Sequence, residues 1–377
     1  MIKNEKIWLS SPHISTNEQE YVNEAFKSNW IAPVGPHIDS FEKNLSEISN
    51  NYHVAALNSG TAAIHLALLV LGVKRNDNVI CSSFTFAAST NPIIYVGAQP
   101  VLIDSEKETW NMCPVLLENA ILELSSINKK PKAIILVHLY GFPAKLNEII
   151  SISKKYKIPI IEDAAEAIGS TFNNKPLGTF GDLGIFSFNG NKIITTSSGG
   201  ALISKNIDFI KKAKFLATQA REDYPHYEHK EIGYNYRMSN VCAAIGLGQL
   251  EVLEKRVKKR RYIYEYYKSK LSDIKQIKFL EELPGYYSNR WLTTILFDKE
   301  AIINRETVRL SLLKENIESR PLWKPMHLQP LFKNCKVFDN GVSEDLFRRG
   351  LCLPSGSNIN DINLDRVIDN IKTLYES

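Results

Sequence analysis

The alternation of short β-branched runs with helical patterns, over about the first two thirds of the chain, limits its fold more than any other sequence feature. Nearly unbroken apolar runs at residues 133–138 and 158–161 flank a segment, Leu146–Tyr156, that alternates apolar and charged residues as an amphipathic helix does. Strands covered on both faces have such runs, and strands that alternate with helices form βαβ units. The sequence therefore predicts an α/β fold around a mainly parallel sheet.

The same patterns predict the remaining elements and a division into two domains. Helical spacing of apolar residues follows Thr61 and lasts until Gly72. Further strands are predicted at 53–57, 79–82, 100–103, 184–188, 200–204 and 291–297, and further helices at 242–267, about 304–317 and 361–375. Because the character of the chain changes after about Arg237, we expect a large domain over 1–250 and a smaller C-terminal α+β domain over 251–377.

Composition excludes several classes of protein. A net charge of +5 is too small for a chain that wraps nucleic acid, and we expect no nucleic-acid partner. The longest mostly apolar run, 62–73, is too short to span a bilayer, and the opening residues lack the apolar core of a secretory signal. The five cysteines are far apart and none pairs with histidine as in a zinc site. These features predict a soluble, cytoplasmic protein without a metal or a membrane partner.

Ligands of open parallel sheets bind at the carboxyl ends of strands, and four sequence features lie there. The first is Gly60 and Thr61, between a predicted strand and an apolar helix. Unsatisfied N–H groups at the start of a helix suit a phosphate, and Gly60 lets it approach the backbone. An ordinary N-cap, with Ser59 or Thr61 holding the helix end, explains the same residues.

The second feature is acidic and the third is a lone lysine. Asp163 ends a buried strand, where its charge requires a cationic partner such as a protonated heteroaromatic nitrogen. The alternative is that Asp163 caps the next helix and faces water.

Lys192 lies among small and aromatic residues, five positions after Ser187, whose hydroxyl could reach a phosphate. A lysine in such a pocket is a nucleophile toward carbonyls, although a lone loop lysine is commonly a solvated charge.

The fourth feature is an aromatic strand end at Phe84 and Phe86, where a ring could stack on a planar ligand or pack in the core. A phosphate cradle, a stacking ring, a carboxylate for a pyridinium nitrogen and a Schiff-base lysine are together what pyridoxal phosphate requires of a protein. The sequence therefore predicts a pyridoxal phosphate enzyme.

Motifs along nearly the whole chain resemble those of one family. The order SGT, SFTF, VHLYG, IEDAAE, GDLGIFSFNGNK, GYNYR is similar to that of the DegT/DnrJ/EryC1/StrS sugar aminotransferases, which have fold type I. The segments SNWIAPVGPHIDSFE, SNRWLTT and SRPLWKPMHLQPLF resemble the subgroup that aminates C4 of a UDP-linked 4-keto-6-deoxy-N-acetylhexosamine, a precursor of bacillosamine-type sugars. The resemblance implies L-glutamate as amino donor and a homodimer with shared active sites.

The resemblance also implies roles for individual residues. Lys192 would bond to the cofactor and shuttle the proton, and Asp163 would pair with the pyridine nitrogen. The remaining cofactor-binding residues would be Gly60, Thr61 and Ser187 at the phosphate, Phe86 on the ring, Glu166 near the cofactor hydroxyl, and Asn235, which would reach the phosphate of the other subunit's cofactor. Candidates for nucleotide-sugar contacts are Trp30, Arg320, Trp323, Lys324 and His327. Some relatives carry histidine in place of the lysine and dehydrate their substrate, so Lys192 favours transamination.

Two alternatives remain open. Within the enzymes, the chain could be a C3 or C4 aminotransferase acting on another nucleotide keto-sugar, linked to dTDP or GDP. Outside them, it could be a non-catalytic regulatory or binding protein, for which the basic cluster Lys255, Arg256, Lys258, Lys259, Arg260 and Arg261 is the main support. Flanking glutamates and tyrosines at helical spacing instead favour a solvated helix with one aromatic packing face.

Overall fold

The computed structural model describes residues 5–376, which form helices around three sheets. The strands of this range are β1 (His53–Leu57), β2 (Asn78–Ser82), β3 (Gln99–Ile103), β4 (Ala133–Val137), β5 (Ile160–Asp163), β6 (Thr171–Phe172), β7 (Lys175–Pro176), β8 (Leu183–Ser187), β9 (Gly200–Ser204), β10 (Ile277–Phe279), β11 (Tyr286–Tyr287), β12 (Thr293–Phe297), β13 (Arg320–Pro321), β14 (Lys336–Phe338) and β15 (Gly350–Leu353).

The helices of the same range lie mostly between these strands. They are α1 (Asn17–Lys27), α2 (Pro36–Ile48), α3 (Gly60–Val70), α4 (Ala87–Tyr95), α5 (Pro114–Ser126), α6 (Leu146–Tyr156), α7 (Ile207–Ala217), α8 (Asn240–Glu251), α9 (Leu253–Lys270), α10 (Arg305–Lys314), α11 (Val342–Arg349) and α12 (Asp361–Glu376), with 3-10 turns at Leu139–Gly141 and Met326–Leu328.

The largest sheet is mostly parallel, as the sequence predicts. Its eight strands have the order β1-β9-β8-β5-β4-β2-β3-β14, and only β9 runs against its two neighbours. Every residue of β4 is buried, in agreement with its unbroken apolar run. The parallel strands therefore end at one edge of the sheet, where the side chains that follow β1, β2, β5 and β8 come together.

Several predicted elements have different bounds in the structure, among them one strand of the large sheet and the longest predicted helix. The strand predicted at 158–161 begins at Ile160 and extends to Asp163. The single helix predicted at 242–267 is two helices, α8 and α9, which meet at Val252. The break redirects the chain, because α8 packs on α1 and α2 whereas α9 contributes Ile263 and Tyr267 to a separate core with α10 and α12. Apolar spacing alone does not reveal that change of neighbour.

The C-terminal part builds an antiparallel sheet of its own, ordered β10-β12-β15-β13. Several connections cross the predicted division between 1–250 and 251–377, which stays a prediction, and one of them is the pairing of β11 with β6. Strand β14 pairs with β3 in the large sheet, and Ile7 forms a bridge to Ile317 and packs in the core of the small sheet. None of the helices within residues 5–376 combines the length and the apolar character that crossing a membrane requires.

The basic cluster on α9 differs from the solvated face that was predicted. Arg256 and Arg260 are buried, with 4% and 1% of their surfaces exposed. The tyrosines that pack inward are Tyr264 and Tyr267, whereas Tyr262 is exposed. The register of α9 therefore turns two of the six cations toward the protein interior, where their partners are backbone and side-chain oxygens and a histidine.

Candidate active site

A pocket of about 310 Å³ opens where β5 and β8 end and α3 begins, at the lower end of the usual volume of small-molecule sites. Its wall brings together eight of the predicted site residues, namely Gly60, Thr61, Phe86, Asp163, Glu166, Ser187, Lys192 and Trp323. These residues come from positions far apart in the chain. The convergence follows from the common direction of the parallel strands.

The start of α3 offers free backbone donors to this pocket. Ser59 is the N-cap, and its hydroxyl accepts a hydrogen bond from Ala62 N at 3.0 Å. The N–H groups of Gly60 and Thr61 have no partner among residues 5–376. A Cβ on Gly60 would lie 3.2 Å from the Cβ of Ser187, so a larger residue would crowd that side chain. The capping interpretation is thus correct for Ser59, and two amides remain available to an anion.

The two adjacent carboxylates of β5 face opposite sides of the strand. Glu162 is fully buried and accepts hydrogen bonds from the N–H groups of Phe180 and Gly181, at 2.6 and 2.7 Å. Asp163 lines the pocket and accepts from Ser89 Oγ at 2.6 Å and from Ala165 N at 3.1 Å. The alternative that Asp163 faces water is therefore wrong.

Lys192 is held inside the pocket, so the solvated-charge interpretation is also wrong. Only 13% of its side chain is exposed, and its Nζ lies 3.6 Å from Glu166 Oε1. The same Nζ lies 4.0 Å from the centre of the Trp291 ring, a distance at which a cation is attracted to the ring face. Burial raises the pKa of the Glu166 carboxyl above its ordinary value, and the nearby Lys192 charge opposes that shift.

A tight turn positions Glu166 from behind. Tyr140 has a positive φ of 54°, and its N–H donates to Glu166 Oε2 at 2.6 Å. Asn289 is fully buried and donates from Nδ2 to Glu166 O at 2.9 Å, while its Oδ1 accepts from Trp291 N at 2.9 Å. The two groups on either side of Lys192 Nζ are therefore joined through one amide side chain.

Gly141 is required in that turn, and we expect Gly141→Ala to lower the free energy of unfolding by more than about 2 kcal/mol. Gly141 has a φ of +81°, and a Cβ there would overlap Asn289 Oδ1 and lie 2.8 Å from Glu166 O. Gly72→Ala is the matched control, because Gly72 has a similar φ of +69° but a Cβ added there would have no neighbouring atom of residues 5–376 within 4 Å. Urea unfolding of both variants measures the difference. Equal losses in the free energy of unfolding would show that the Asn289 side chain moves aside at no cost, and would contradict the prediction.

Two pocket residues, Trp291 and Ser89, and the fully buried Asn289 have no local sequence signal. Trp291 is distant in the chain from the lysine it contacts, and the sequence indicates it only as part of the SNRWLTT motif and a predicted strand. Ser89 lies in the first turn of α4, where a small residue is unremarkable, and Asn289 acts through backbone groups. Only a spatial arrangement distinguishes them from ordinary packing residues.

Phe86 and Trp323 form the aromatic part of the wall. The Phe86 ring is 54% exposed and lies 5.4 Å from the Trp323 ring, so Phe86 is not a core residue. Trp323 also stacks on Tyr140 at 6.1 Å and donates its backbone N–H to the Tyr140 hydroxyl at 2.8 Å. An aromatic surface therefore forms part of the pocket wall.

The other five predicted residues do not line the pocket of their own chain. Asn235 is exposed, and its carbonyl accepts from Asn58 Nδ2 at 3.2 Å. Trp30 is 44% exposed, and Arg320 is paired with Glu318 at 2.9 Å. His327 Nδ1 lies 2.7 Å from Ser83 Oγ, and the carbonyl of Lys324 accepts from Gln329 Nε2.

The donor set of the pocket fits pyridoxal phosphate. The free amides of Gly60 and Thr61 suit its phosphate, and Lys192 Nζ suits its aldehyde carbon. Asp163 has no Lys, Arg or His partner in the part of the chain that the structure describes, so its charge is available to a pyridinium nitrogen. No cluster of three or more His, Cys, Asp or Glu residues in the described range could hold a metal ion.

Comparisons with known proteins agree with this arrangement. A family model described as the DegT/DnrJ/EryC1/StrS aminotransferase family matches residues 12–372. A Bacillus subtilis protein, EpsN, provisionally named as a pyridoxal phosphate-dependent aminotransferase, is 52% identical over 99% of this chain and 96% of its own. GDP-perosamine synthase of Escherichia coli O157:H7 is 36% identical over 97% of both chains.

Two further proteins extend the comparison. The UDP-4-amino-4,6-dideoxy-N-acetyl-β-L-altrosamine transaminase of Campylobacter jejuni is 33% identical over 87% of this chain and 86% of its own. The crystal structure of a DegT/DnrJ/EryC1/StrS aminotransferase from Brucella abortus superposes with a TM-score of 0.89, at 30% identity and over 96% of both chains.

Proposed function

The chain belongs to the DegT/DnrJ/EryC1/StrS family of pyridoxal phosphate-dependent sugar aminotransferases, of fold type I, and we propose that it transfers the amino group of L-glutamate to C4 of a UDP-linked 4-keto-6-deoxy-N-acetylhexosamine. The products would be 2-oxoglutarate and a UDP-linked 4-amino-4,6-dideoxy sugar of the bacillosamine-precursor type. The observation that carries the proposal is the presence, in one pocket, of a largely buried lysine, an aspartate without a cationic partner in the described range, and the free amides of a helix start.

The pocket residues would hold the cofactor at two ends in this proposal. The free amides of Gly60 and Thr61 would bind its phosphate, with the Ser187 hydroxyl as an added donor. Asp163 would accept a hydrogen bond from the protonated pyridine nitrogen, and Ser89 keeps the carboxylate in place. When bound, pyridoxal phosphate supplies the electron sink that lets a proton leave the carbon next to nitrogen.

Lys192 Nζ moves that proton. In the first half-reaction the amine takes it from Cα of glutamate and passes it to the cofactor. In the second half-reaction the amine takes a proton back from the cofactor and delivers it to C4 of the sugar. While it holds a proton, Nζ carries a positive charge, which Glu166 at 3.6 Å and the Trp291 ring at 4.0 Å stabilise. Both half-reactions use one site, so ping-pong kinetics are expected.

A second subunit completes the site in this proposal. Asn235 and Trp30 are exposed and lie outside the pocket of their own chain, which leaves them free to contact a neighbouring pocket. We infer a homodimer in which Asn235 binds the phosphate of the partner's cofactor. Trp323 in the pocket wall, with Arg320, Lys324 and His327 around it, is assigned to the nucleotide sugar.

The UDP sugar is favoured by the subgroup motifs and by the transaminase of Campylobacter jejuni, whose name specifies a UDP-linked amino sugar. GDP-perosamine synthase has a slightly higher identity, 36% against 33%, and makes a GDP-linked 4-keto sugar the second candidate.

Initial rates with matched 4-keto-6-deoxy sugars linked to UDP, GDP and dTDP test the substrate assignment. We expect kcat/KM for the UDP-linked N-acetylhexosamine to exceed the others by at least about 10²-fold, which is the discrimination that a few specific hydrogen bonds provide. NMR of the product determines whether C3 or C4 carries the new amine. A preference for GDP, or amination at C3, would replace the proposed substrate and leave the transaminase assignment unchanged.

A further inference from the structure

The guanidinium of Arg260 is buried directly behind the lysine of the pocket. Only 1% of Arg260 is exposed, and no carboxylate of residues 5–376 pairs with it. Burial lowers its pKa from 12.5 to about 9, and the neighbouring charge of Arg256 adds to this effect. Burial of an unpaired cation is unfavourable, so the groups that Arg260 contacts must account for its position.

Those groups belong to three separate segments of the chain. One terminal nitrogen of Arg260, Nη1, donates to the carbonyl of Trp291. The other, Nη2, donates to Ser10 Oγ at 2.9 Å and to the carbonyl of Lys192 at 3.4 Å. The planar fork of one arginine therefore joins the N-terminal segment, the lysine loop and the loop before β12.

A second set of contacts supports the residue before the lysine. The carbonyl of Asn191 accepts from Ser10 Oγ at 2.7 Å and from Trp291 Nε1 at 2.7 Å. Two of the three groups bound by Arg260 thus also hold the peptide that leads into Lys192. Since the Trp291 ring lies 4.0 Å from Lys192 Nζ, the position of the ring is linked to the position of the lysine backbone.

We propose that Arg260 is a positioning residue, which fixes the Lys192 backbone and Trp291 relative to each other and so holds Lys192 Nζ between the Trp291 ring and Glu166. Arg260 touches neither the pocket nor Glu166, and its effect passes through Trp291, Ser10 and the Lys192 carbonyl. The inference deepens the proposed function, because it rests on Lys192 as the lysine that bonds the cofactor.

The test compares Arg260→Met and Arg260→Lys with the matched control Arg256→Met. Arg256 is a buried arginine one turn earlier on α9, and it contacts the ring and carbonyl of His13 but not the lysine loop. Each full-length apoprotein is mixed with pyridoxal phosphate, and the bond to Lys192 is trapped by borohydride at timed intervals and quantified by peptide mass spectrometry. This readout requires no sugar or glutamate.

Both Arg260 variants should slow capture of the cofactor at Lys192 by about tenfold to hundredfold, since small misplacement of a reacting group has effects of that size. Lysine keeps the charge but cannot reach three acceptors, so Arg260→Lys should not restore the rate. Arg256→Met should stay within about twofold of the wild type, because it lies outside the network. In the loaded enzyme, Arg260→Met should lower kcat with little change in KM for glutamate.

Ser10→Ala keeps the proposal testable if the arginine variants unfold. It removes one half-exposed hydroxyl of the network and should slow capture by about threefold to fivefold, which corresponds to one hydrogen bond. Capture at the wild-type rate in Ser10→Ala, or equal rates in the Arg260 and Arg256 variants, would overturn the positioning role. Absence of capture at Lys192 in the wild type would instead overturn the proposed function.

Discussion

Replacing Lys192 with alanine is expected to reduce turnover by at least about 10⁴-fold, because one change removes both the nucleophile and the group that transfers the proton. The fold should remain, since the contacts of the Lys192 amine within residues 5–376 are with Glu166 and the face of Trp291. Steady-state assay with glutamate and the UDP keto-sugar, together with circular dichroism, measures both parts of this expectation. Appreciable turnover by the variant would contradict the role assigned to Lys192.

Lys205→Ala is the control for Lys192→Ala. Lys205 follows β9 and is exposed, so its loss should change neither turnover nor stability.

The Lys192 variant should differ from the wild type in one further property, the pH dependence of its unfolding. The pKa of Glu166 is raised by burial and lowered by Lys192, so without the lysine it rises further. When folding raises the pKa of a carboxyl, the folded protein becomes less stable as the pH rises above the ordinary pKa of that group. The variant should therefore be destabilised more at neutral than at acidic pH.

Asp163→Asn is expected to lower kcat by about 10²- to 10³-fold, the effect of removing one preorganised electrostatic partner from a reacting group. The amide has the size of the carboxylate and keeps an oxygen that can accept from Ala165 N, while its NH₂ group can donate to Ser89 Oγ, but it cannot hold a pyridine nitrogen in its protonated form. Rates of each half-reaction, measured in single turnovers, should both fall.

Glu162→Gln separates this effect from the loss of any buried carboxylate on β5. Glu162 is the preceding residue, but it accepts from the amides of Phe180 and Gly181 and from His138, away from the pocket. Its replacement should lower the free energy of unfolding and leave the half-reaction rates near those of the wild type. If Asp163→Asn affects stability alone, as expected for Glu162→Gln, Asp163 has no role at the cofactor.

The sequence predicts the fold and the centre of the site because both depend on local signals. Apolar runs such as β4 identify buried strands, and once the sheet is parallel, residues that follow strand ends must meet at one edge. Asp163 and Lys192 are recognisable because a carboxylate at the end of a buried strand and a lysine among small residues are unusual. The family motifs then assign their chemistry.

The parts that sequence reasoning missed depend on contacts between distant segments. Arg260 belongs to a run of cations whose pattern is typical of a solvated helix face. Arg260 is buried because α9 changes direction after the break at Val252. Trp291 contacts Lys192, and Asn289 binds the carbonyl of Glu166. Each pair is about 100 residues or more apart in the chain, so no local spacing indicates the contact. Supporting groups of this kind follow from tertiary packing rather than from local pattern.

The most direct measurement is the visible absorbance of the pyridoxal phosphate-loaded protein, recorded alone, after L-glutamate, and then after UDP-4-keto-6-deoxy-N-acetylglucosamine. We predict a band from the cofactor bonded to Lys192, its loss with glutamate, and its return with the sugar. Loss without return would contradict the proposed sugar while retaining the aminotransferase. Failure of the band to form at all would contradict the central claim, that Lys192 is the lysine that bonds the cofactor.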